Sequence, residues 1–362
     1  MNRQVQTALS IRAAVLREPD RSLKIERLEM EGPRDDEVLV RLVASGICHT
    51  DIDFCEGGAS SAVVLGHEGS GVVEQVGRAV KGVKPGDHVV LSYQSCGHCL
   101  PCRKGRPADC ERFWEANFGF ARLDGSNALA ASGVRGHFFG QSSFATHTLA
   151  TTRNLVKVSK TLPLELLAPL GCGLQTGAGT VMNSLAVRKG SSIAIFGTGA
   201  VGLAAVMAAR IVGAKTTIAV DINPKRLALA RELGATHSLE NRDADLAARI
   251  VTITGKGVDY AVESTGDAEL SRLAVDLLNP HGRTAFLTGA SGPDNLPGGR
   301  QVLSVIQGDA VPQRFIPKLI KLYQQGRFPF DRLVKFYDFS KINQAIADAK
   351  RGATIKPVLR IR

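Results

Sequence analysis

From 192 to 196 the chain runs apolar and rich in isoleucine, the pattern of a strand buried on both faces. It leads into Gly197-Thr198-Gly199-Ala200-Val201-Gly202 and then into an alanine-rich stretch that predicts a helix ending near Gly213. A second apolar run, 217–220, closes on Asp221. Beyond it the pattern predicts helices at 224–233, 243–254 and 268–278, with strands at 259–263 and 284–287. Strands alternating with helices mean a parallel, doubly wound sheet, expected over 176–306. The flanking segments read differently. Runs such as GHEGSGVVEQVG and GVKPGDHVVL are rich in glycine and valine and suggest short strands of a small barrel.

The glycines after the first strand each have a task. Gly197 makes the tight turn, Gly199 lets backbone approach a pyrophosphate, and Gly202 lets helix pack on strand. The helix that opens at Ala200 and Val201 offers free N–H groups to phosphates. Asp221 lies 19 positions past Gly202, at the end of the next strand, where a carboxylate accepts hydrogen bonds from the adenosine ribose. Its charge repels a 2′-phosphate, which favours NAD over NADP, and Arg226, five residues on, softens that preference.

Four cysteines carry a second signal. Cys96, Cys99, Cys102 and Cys110 stand at separations of three, three and eight in SCGHCLPCRKGRPADC. Such spacing suits one small lobe around a tetrahedral four-sulfur metal site. Zinc is the first reading, an iron–sulfur cluster the rival, and disulfides the plain alternative. Cys48 in GICHTD, His67 in GHEGSG and Cys172 in PLGCGLQTGAG form a third group of chemically capable residues.

Composition bounds the rest. The chain has 362 residues, enough for about two domains with real cores. Apolar residues make up 44%, and no run approaches the roughly 18 residues of a membrane span. The first twenty residues do not read as a secretory signal, so the expected compartment is the cytoplasm, where cysteines serve as ligands or thiols. Lys and Arg outnumber Asp and Glu by 45 to 34, giving +11. These charges are dispersed and aromatic residues are few, which argues against nucleic acid and fits attraction of an anionic cofactor or substrate.

Together, GHE, the four-cysteine lobe, the distant GCG and GTGAVG resemble the zinc-dependent medium-chain alcohol dehydrogenases. FFGQSSFATH (138–147), PLGCGLQTGAG (169–179) and RFIPKLIKLYQQGRFPFDRLVKFYDFSKIN (314–343) are similar to the branch acting on aryl, benzyl and allylic alcohols such as geraniol. The resemblance implies a zinc-binding GroES-like β-barrel domain over 1–175, a Rossmann NAD-binding domain over 176–306, and a return to the first domain over 307–362. It implies two zinc ions per subunit, one structural at the four cysteines and one catalytic at Cys48, His67 and Cys172. Two cysteines and a histidine are the catalytic zinc set known for alcohol dehydrogenase, so this assignment is taken over from that enzyme. By the same resemblance Asp51 orients His67, Glu68 lies behind the metal, and Thr50 takes the proton from the alcohol. His49 faces the cofactor pyrophosphate, and Phe144 lines the substrate pocket.

Two departures stand out. Asp53 occupies the place where relatives often carry a histidine that ends the proton relay, so either its carboxylate or water has that task. The 48–67 segment and the loop 289–301 look short, which bears on substrate size. The expected activity is reversible oxidation of an aromatic or allylic primary alcohol to its aldehyde with NAD, in a homodimer or homotetramer. A dehydrogenase of hydroxymethyl-thiol adducts and a non-catalytic NAD- and zinc-binding protein are the alternatives.

Overall fold

The structure is a computed structural model that describes residues 8–19, 21–58, 61–242, 245–288 and 296–362. It divides into two compact units. One comprises Met1–Cys172, Val311–Pro317 and Asp331–Arg362, and the other Gly173–Ala310 and Lys318–Phe330. No helix among the described residues is long and apolar enough to cross a membrane.

The first unit opens with strands β1 (Leu9–Leu16), β2 (Leu23–Met30), β3 (Glu37–Gly46), β4 (Val63–Val64), β5 (Glu68–Val76), β6 (His88–Leu91), β7 (His147–Thr151) and β8 (Leu155–Val158). Between β3 and β4 runs helix α1 (His49–Gly57). The second unit holds β9 (Ser192–Phe196), β10 (Thr216–Asp221), β11 (His237–Glu240), β12 (Val258–Glu263), β13 (Leu278–Phe286) and β14 (Gln301–Ser304). Among its helices are α2 (Ala200–Val212), α3 (Pro224–Leu233), α4 (Leu246–Thr254) and α5 (Ala268–Asp276). The C-terminal strands β15 (Val334–Asp338) and β16 (Lys356–Arg360) rejoin the first unit.

In the first unit, β1 pairs antiparallel with β2 and β4 in a three-stranded sheet. A larger sheet runs β15-β16-β3-β5-β6-β8, with β7 also paired to β3. Its central pair, β3 and β5, sets Gly46 opposite Glu68. That register delivers the two segments carrying Cys48 and His67 to one end of the sheet.

The second unit is a six-stranded sheet in the order β11-β10-β9-β12-β13-β14, parallel at every pairing. This is the order of dinucleotide-binding sheets, with β9 at the point where strand order reverses. Its core packs Phe196, Ile218, Val220, Ile250, Val258 and Phe286, each at most 2% exposed. Burying side chains of this size stabilises by roughly 1.5–3 kcal/mol each. Local chemistry sets the helix ends. Asn223 caps α3 by accepting from Lys225 N and Arg226 N, Pro224 follows it, and Asp267 caps α5 through Glu269 N and Leu270 N.

The pattern located β9 and α3 at their observed bounds. Three differences have physical causes. Strands β11 and β14 are short and largely polar, and exist because their parallel neighbours supply the ladder. Helix α5 stops at Asp276 and Leu278 already belongs to β13, so the expected helix ran two residues long. The pairing of β13 with β12 shifts register after Val258, which absorbs the turn-like Asn279-Pro280-His281-Gly282 into a strand expected to begin at 284. The first two residues of the expected 243–254 helix, two residues of the 48–67 segment and 289–295 of the shortened loop lie outside the described residues.

Candidate metal and cofactor sites

One buried acid organises the first site. Asp51, three residues into the first turn after Cys48, is fully buried, and its Oδ2 accepts from Cys48 N at 2.9 Å. Its Oδ1 accepts from Gly66 N at 3.0 Å and lies 3.1 Å from His67 Nδ1. The carboxylate therefore caps α1 and ties it to the turn before β5. Gly66 has φ of +88°, and a Cβ there would fall 2.5 Å from the Phe144 ring and backbone, so this turn needs glycine. Phe139 stacks on the His67 ring at 4.3 Å and Phe138 meets it edge-on at 5.5 Å.

With Nδ1 engaged and the ring clamped, His67 Nε2 is buried and has no hydrogen-bond partner among the described residues. Ligand atoms of Cys48, His67, Glu68 and Cys172 all lie within 4.8 Å of one another. Cys172 is brought in from far along the chain: Ser92 Oγ, just after β6, donates to Gly171 O at 2.6 Å. Burial draws the His67 imidazole down, but the Asp51 carboxylate and Cys48 outweigh it and raise it to about 10. The Cys48 thiol is held well below its ordinary range, foremost by Cys172, with the charges of His67 and Lys356 adding to the effect. Two thiolates and an imidazole with one free nitrogen ask for a cation, and a borderline-soft divalent ion such as zinc answers that demand. The orphaned Nε2 is the observation that fits the set to a metal, with Asp51 fixing the tautomer.

Glu68 is fully buried beside these atoms, and Lys356, the first residue of β16, meets its carboxylate at 2.9 and 3.1 Å. Lys356 Nζ also donates to Ile47 O at 3.1 Å. Burial opposes the lysine charge, yet the Glu68 carboxylate holds it above the usual range. The sequence reading missed Lys356, and also missed Phe138 and Phe139. The only signal was a lysine set among strand-forming residues and a pair of adjacent phenylalanines.

Thr50 Oγ1 lies 3.9 Å from Cys48 Sγ. Asp53 sits one helical turn on from His49 and pairs with its Nε2 at 3.3 Å, both side chains exposed. Partial desolvation raises the Asp53 carboxyl, with His49 pulling the other way. The structure thus joins Asp53 to His49, and no hydrogen bond joins Asp53 to Thr50 among the described residues. Phe144 is fully buried against the Gly66 turn, and its backbone bonds to Leu65 O and Ala14 N. Cys55 is a buried thiol pushed up to about 12 by desolvation.

The second cluster, Cys96, Cys99, Cys102 and Cys110, also gathers its sulfurs within 4.8 Å. All seven cysteines are unbridged, and Cys99 and Cys110 Sγ stand 3.9 Å apart, far beyond a disulfide's ~2.05 Å. Cys96 N donates to Cys110 Sγ at 3.3 Å and Cys99 N to Cys96 Sγ at 3.4 Å. Desolvation works against a Cys99 thiolate, but backbone N–H groups of Cys102 and Glu111 bring it down to about 6. Four sulfurs facing one point leave no open position, the mark of a structural metal site.

In the second unit, Gly197 turns with φ of +89° into α2. A Cβ on Gly202 would lie 1.8 Å from Gly197 O, so helix and loop approach only because that side chain is absent. Gly199 precedes Ala200 and Val201, the first residues of α2. Asp221 ends β10, and its Oδ2 accepts from Thr198 N at 2.6 Å and Thr198 Oγ1 at 2.7 Å, while Oδ1 accepts from Asn223 N at 2.9 Å. Arg226 is half-buried in the first turn of α3, with Nε unpartnered.

Residues 34–160 match the family model of the alcohol dehydrogenase GroES-like domain, and 200–313 that of the zinc-binding dehydrogenases. The chain is 45% identical to geraniol dehydrogenase of Castellaniella defragrans, over 98% of each protein. The chain belongs to the zinc-type medium-chain alcohol dehydrogenases. The crystal structure of benzyl alcohol dehydrogenase from Acinetobacter calcoaceticus is similar to this dehydrogenase with a TM-score of 0.94 and 46% identity, covering 98% of this chain and all of that one. An alcohol dehydrogenase zinc-binding domain protein from Burkholderia ambifaria has the same TM-score of 0.94 at 51% identity, with coverage of 98% and 100%. The GroES-like and Rossmann-type domains expected from the motifs are therefore present.

Proposed function

We propose that this dehydrogenase interconverts an aromatic or allylic primary alcohol and its aldehyde, with NAD as hydride acceptor. The observation that carries the reading is the buried, unpartnered His67 Nε2 facing Cys48 and Cys172. The similarity to a geraniol dehydrogenase and to a benzyl alcohol dehydrogenase supports the substrate class.

Cys48, His67 and Cys172 would hold a catalytic zinc, whose Lewis acidity acts on the substrate oxygen. Asp51 keeps the proton on Nδ1 and leaves Nε2 to the metal. Glu68 lies behind the thiolates, its charge balanced by Lys356. The Thr50 hydroxyl lies 3.9 Å from Cys48 Sγ and is assigned the proton released from the alcohol. Asp53 or water ends that relay, and the His49 pairing gives Asp53 a competing partner. Cys96, Cys99, Cys102 and Cys110 would hold a second, structural zinc.

In the second unit, the backbone from Gly197 to Gly202 and the start of α2 would receive the cofactor pyrophosphate. Asp221 retains lone pairs for the ribose hydroxyls beyond those Thr198 and Asn223 use, and its charge disfavours a 2′-phosphate. Arg226, with its free Nε, limits that discrimination. A homodimer or homotetramer in the cytoplasm completes the reading.

NADH formation from NAD across benzyl alcohol, cinnamyl alcohol, geraniol, ethanol and a hydroxymethyl-thiol adduct tests this. Strong preference for the aromatic and allylic alcohols is expected. Activity confined to the thiol adduct, or to ethanol, would overturn the substrate assignment.

A further inference from the structure

Apart from both cysteine clusters, the first unit carries a surface cavity of about 520 Å3 with cationic walls. Arg12, Arg27, Arg41, His147 and Arg362 line it, with Thr146 adding a hydroxyl, and no acidic side chain is among the lining residues. The positions follow from strand register. The pairing of β1 with β2 sets Arg12 directly opposite Arg27, and that of β3 with β7 sets Arg41 opposite His147. Like charges directly opposite in an antiparallel pair destabilise it, so the Arg12–Arg27 placement is unfavourable by itself.

Little in the protein offsets it. Glu74 meets Arg41 at 3.1 Å and His147 at 3.3 Å, and so serves that side of the cavity alone. Arg12 donates to the main-chain oxygen of Arg362. The guanidinium groups of Arg27 and Arg362 make no hydrogen bond or ion pair among the described residues. Four arginines from separate segments thus converge on one concave space, with the Glu74 carboxylate and the main-chain oxygen of Arg362 as the acceptors they meet among the described residues.

We propose that this cavity binds a small organic anion carrying two phosphate groups. Guanidinium forks match phosphate oxygens two at a time and hold them more strongly than neutral donors. One phosphate between Arg12 and Arg27 turns cross-strand repulsion into shared attraction. The second faces Arg41 and Arg362, with the Thr146 hydroxyl in reach of the same cavity. A bisphosphate of sugar size suits the volume, which falls within the range of small-molecule sites. The glycine loop that accepts a pyrophosphate belongs to the other unit, so this is a separate anion site.

Calorimetric titration of the zinc-replete, NAD-saturated protein with fructose 1,6-bisphosphate at low ionic strength tests the proposal. One site per chain with submillimolar affinity is expected, weakening as salt rises. Inorganic phosphate should bind at least about tenfold more weakly, and Arg27→Gln should weaken the bisphosphate by about tenfold or more, as loss of a charge-assisted bond implies. Without ligand, Arg27→Gln should melt at or above the wild-type temperature, because repulsion is relieved, so lost binding is not lost folding. Arg362→Gln, outside any strand, should repeat the loss of affinity. Absence of binding at millimolar bisphosphate, undiminished affinity in both variants, or equal affinity for inorganic phosphate would each overturn the proposal.

Discussion

Replacing Lys356 by methionine removes a cation bonded to a carboxylate that is itself fully buried. The Nζ–Oε distances of 2.9 and 3.1 Å correspond to an attraction of about 6 kcal/mol at an effective dielectric constant of ~20. Most of that gross attraction repays desolvation, so what matters is the cost of stranding one partner. Methionine keeps the volume but takes the ammonium away from the buried Glu68 carboxylate, which is expected to destabilise the first unit by ~3–5 kcal/mol. At roughly 2–4 °C per kcal/mol, differential scanning calorimetry of the zinc-replete protein should show its melting fall by about 10 °C. The double variant Glu68→Gln/Lys356→Met should recover most of the loss, since a neutral pair strands no charge. A melting temperature within about 1 °C of wild type for the single variant, or a double variant no better than the single, would refute the reasoning.

Acid should weaken the fold through His137, whose Nε2 accepts from Ala128 N and which burial, with help from Arg122 and Arg34, lowers to about 3. The unfolded imidazole titrates near 6.5, so stability is flat above that pH and falls by about 1.4 kcal/mol per unit between ~6.5 and 3. His137→Asn, which tolerates the positive φ at this position, should flatten that part of the urea-derived stability profile; an unchanged slope assigns the acid sensitivity elsewhere. Gly202→Ala drives a methyl into Gly197 O, and NAD affinity by fluorescence titration should drop more than about tenfold, a displacement costing at least ~1.4 kcal/mol. Retained affinity there means the loop does not hold the cofactor. Cys172→Ser should abolish alcohol turnover and lower bound zinc by about one ion per chain while NAD still binds, and full turnover would remove Cys172 from the chemistry. Asp221→Asn should erode preference for NAD over NADP in steady-state kinetics; constant selectivity would mean that its contacts to Thr198 and Asn223 are its whole role.

Elements with contiguous apolar runs and hard punctuation were legible in the sequence. β9 lies between a polar turn and Gly197, and α3 between Asn223-Pro224 and Gly234, so periodicity and caps coincide. β11 and β14 were not legible, because a short polar strand is defined by its neighbour's free backbone groups rather than by its own residues. The cysteine clusters could be read because thiol spacing is local or the surrounding motif is distinctive. Lys356 and Glu68 stand 288 positions apart, and nothing near either residue names the other. The His49–Asp53 contact was within reach, since residues four apart share a helix face, but a relay role drew Asp53 toward Thr50 instead.

Asp51 makes the metal set a clock for folding. Its carboxylate holds the amide of Cys48, the amide of Gly66 and the ring of His67 together. Cys172 is tied in from far along the chain, through the Ser92 hydroxyl on Gly171 O just after β6. Contacts so distant in sequence close late, after the loops between them have lost their freedom. A zinc ion bound at Cys48, His67 and Cys172, as distinct from one at the sequence-local four-cysteine lobe, would therefore resist a chelator during refolding only in chains that have closed these contacts.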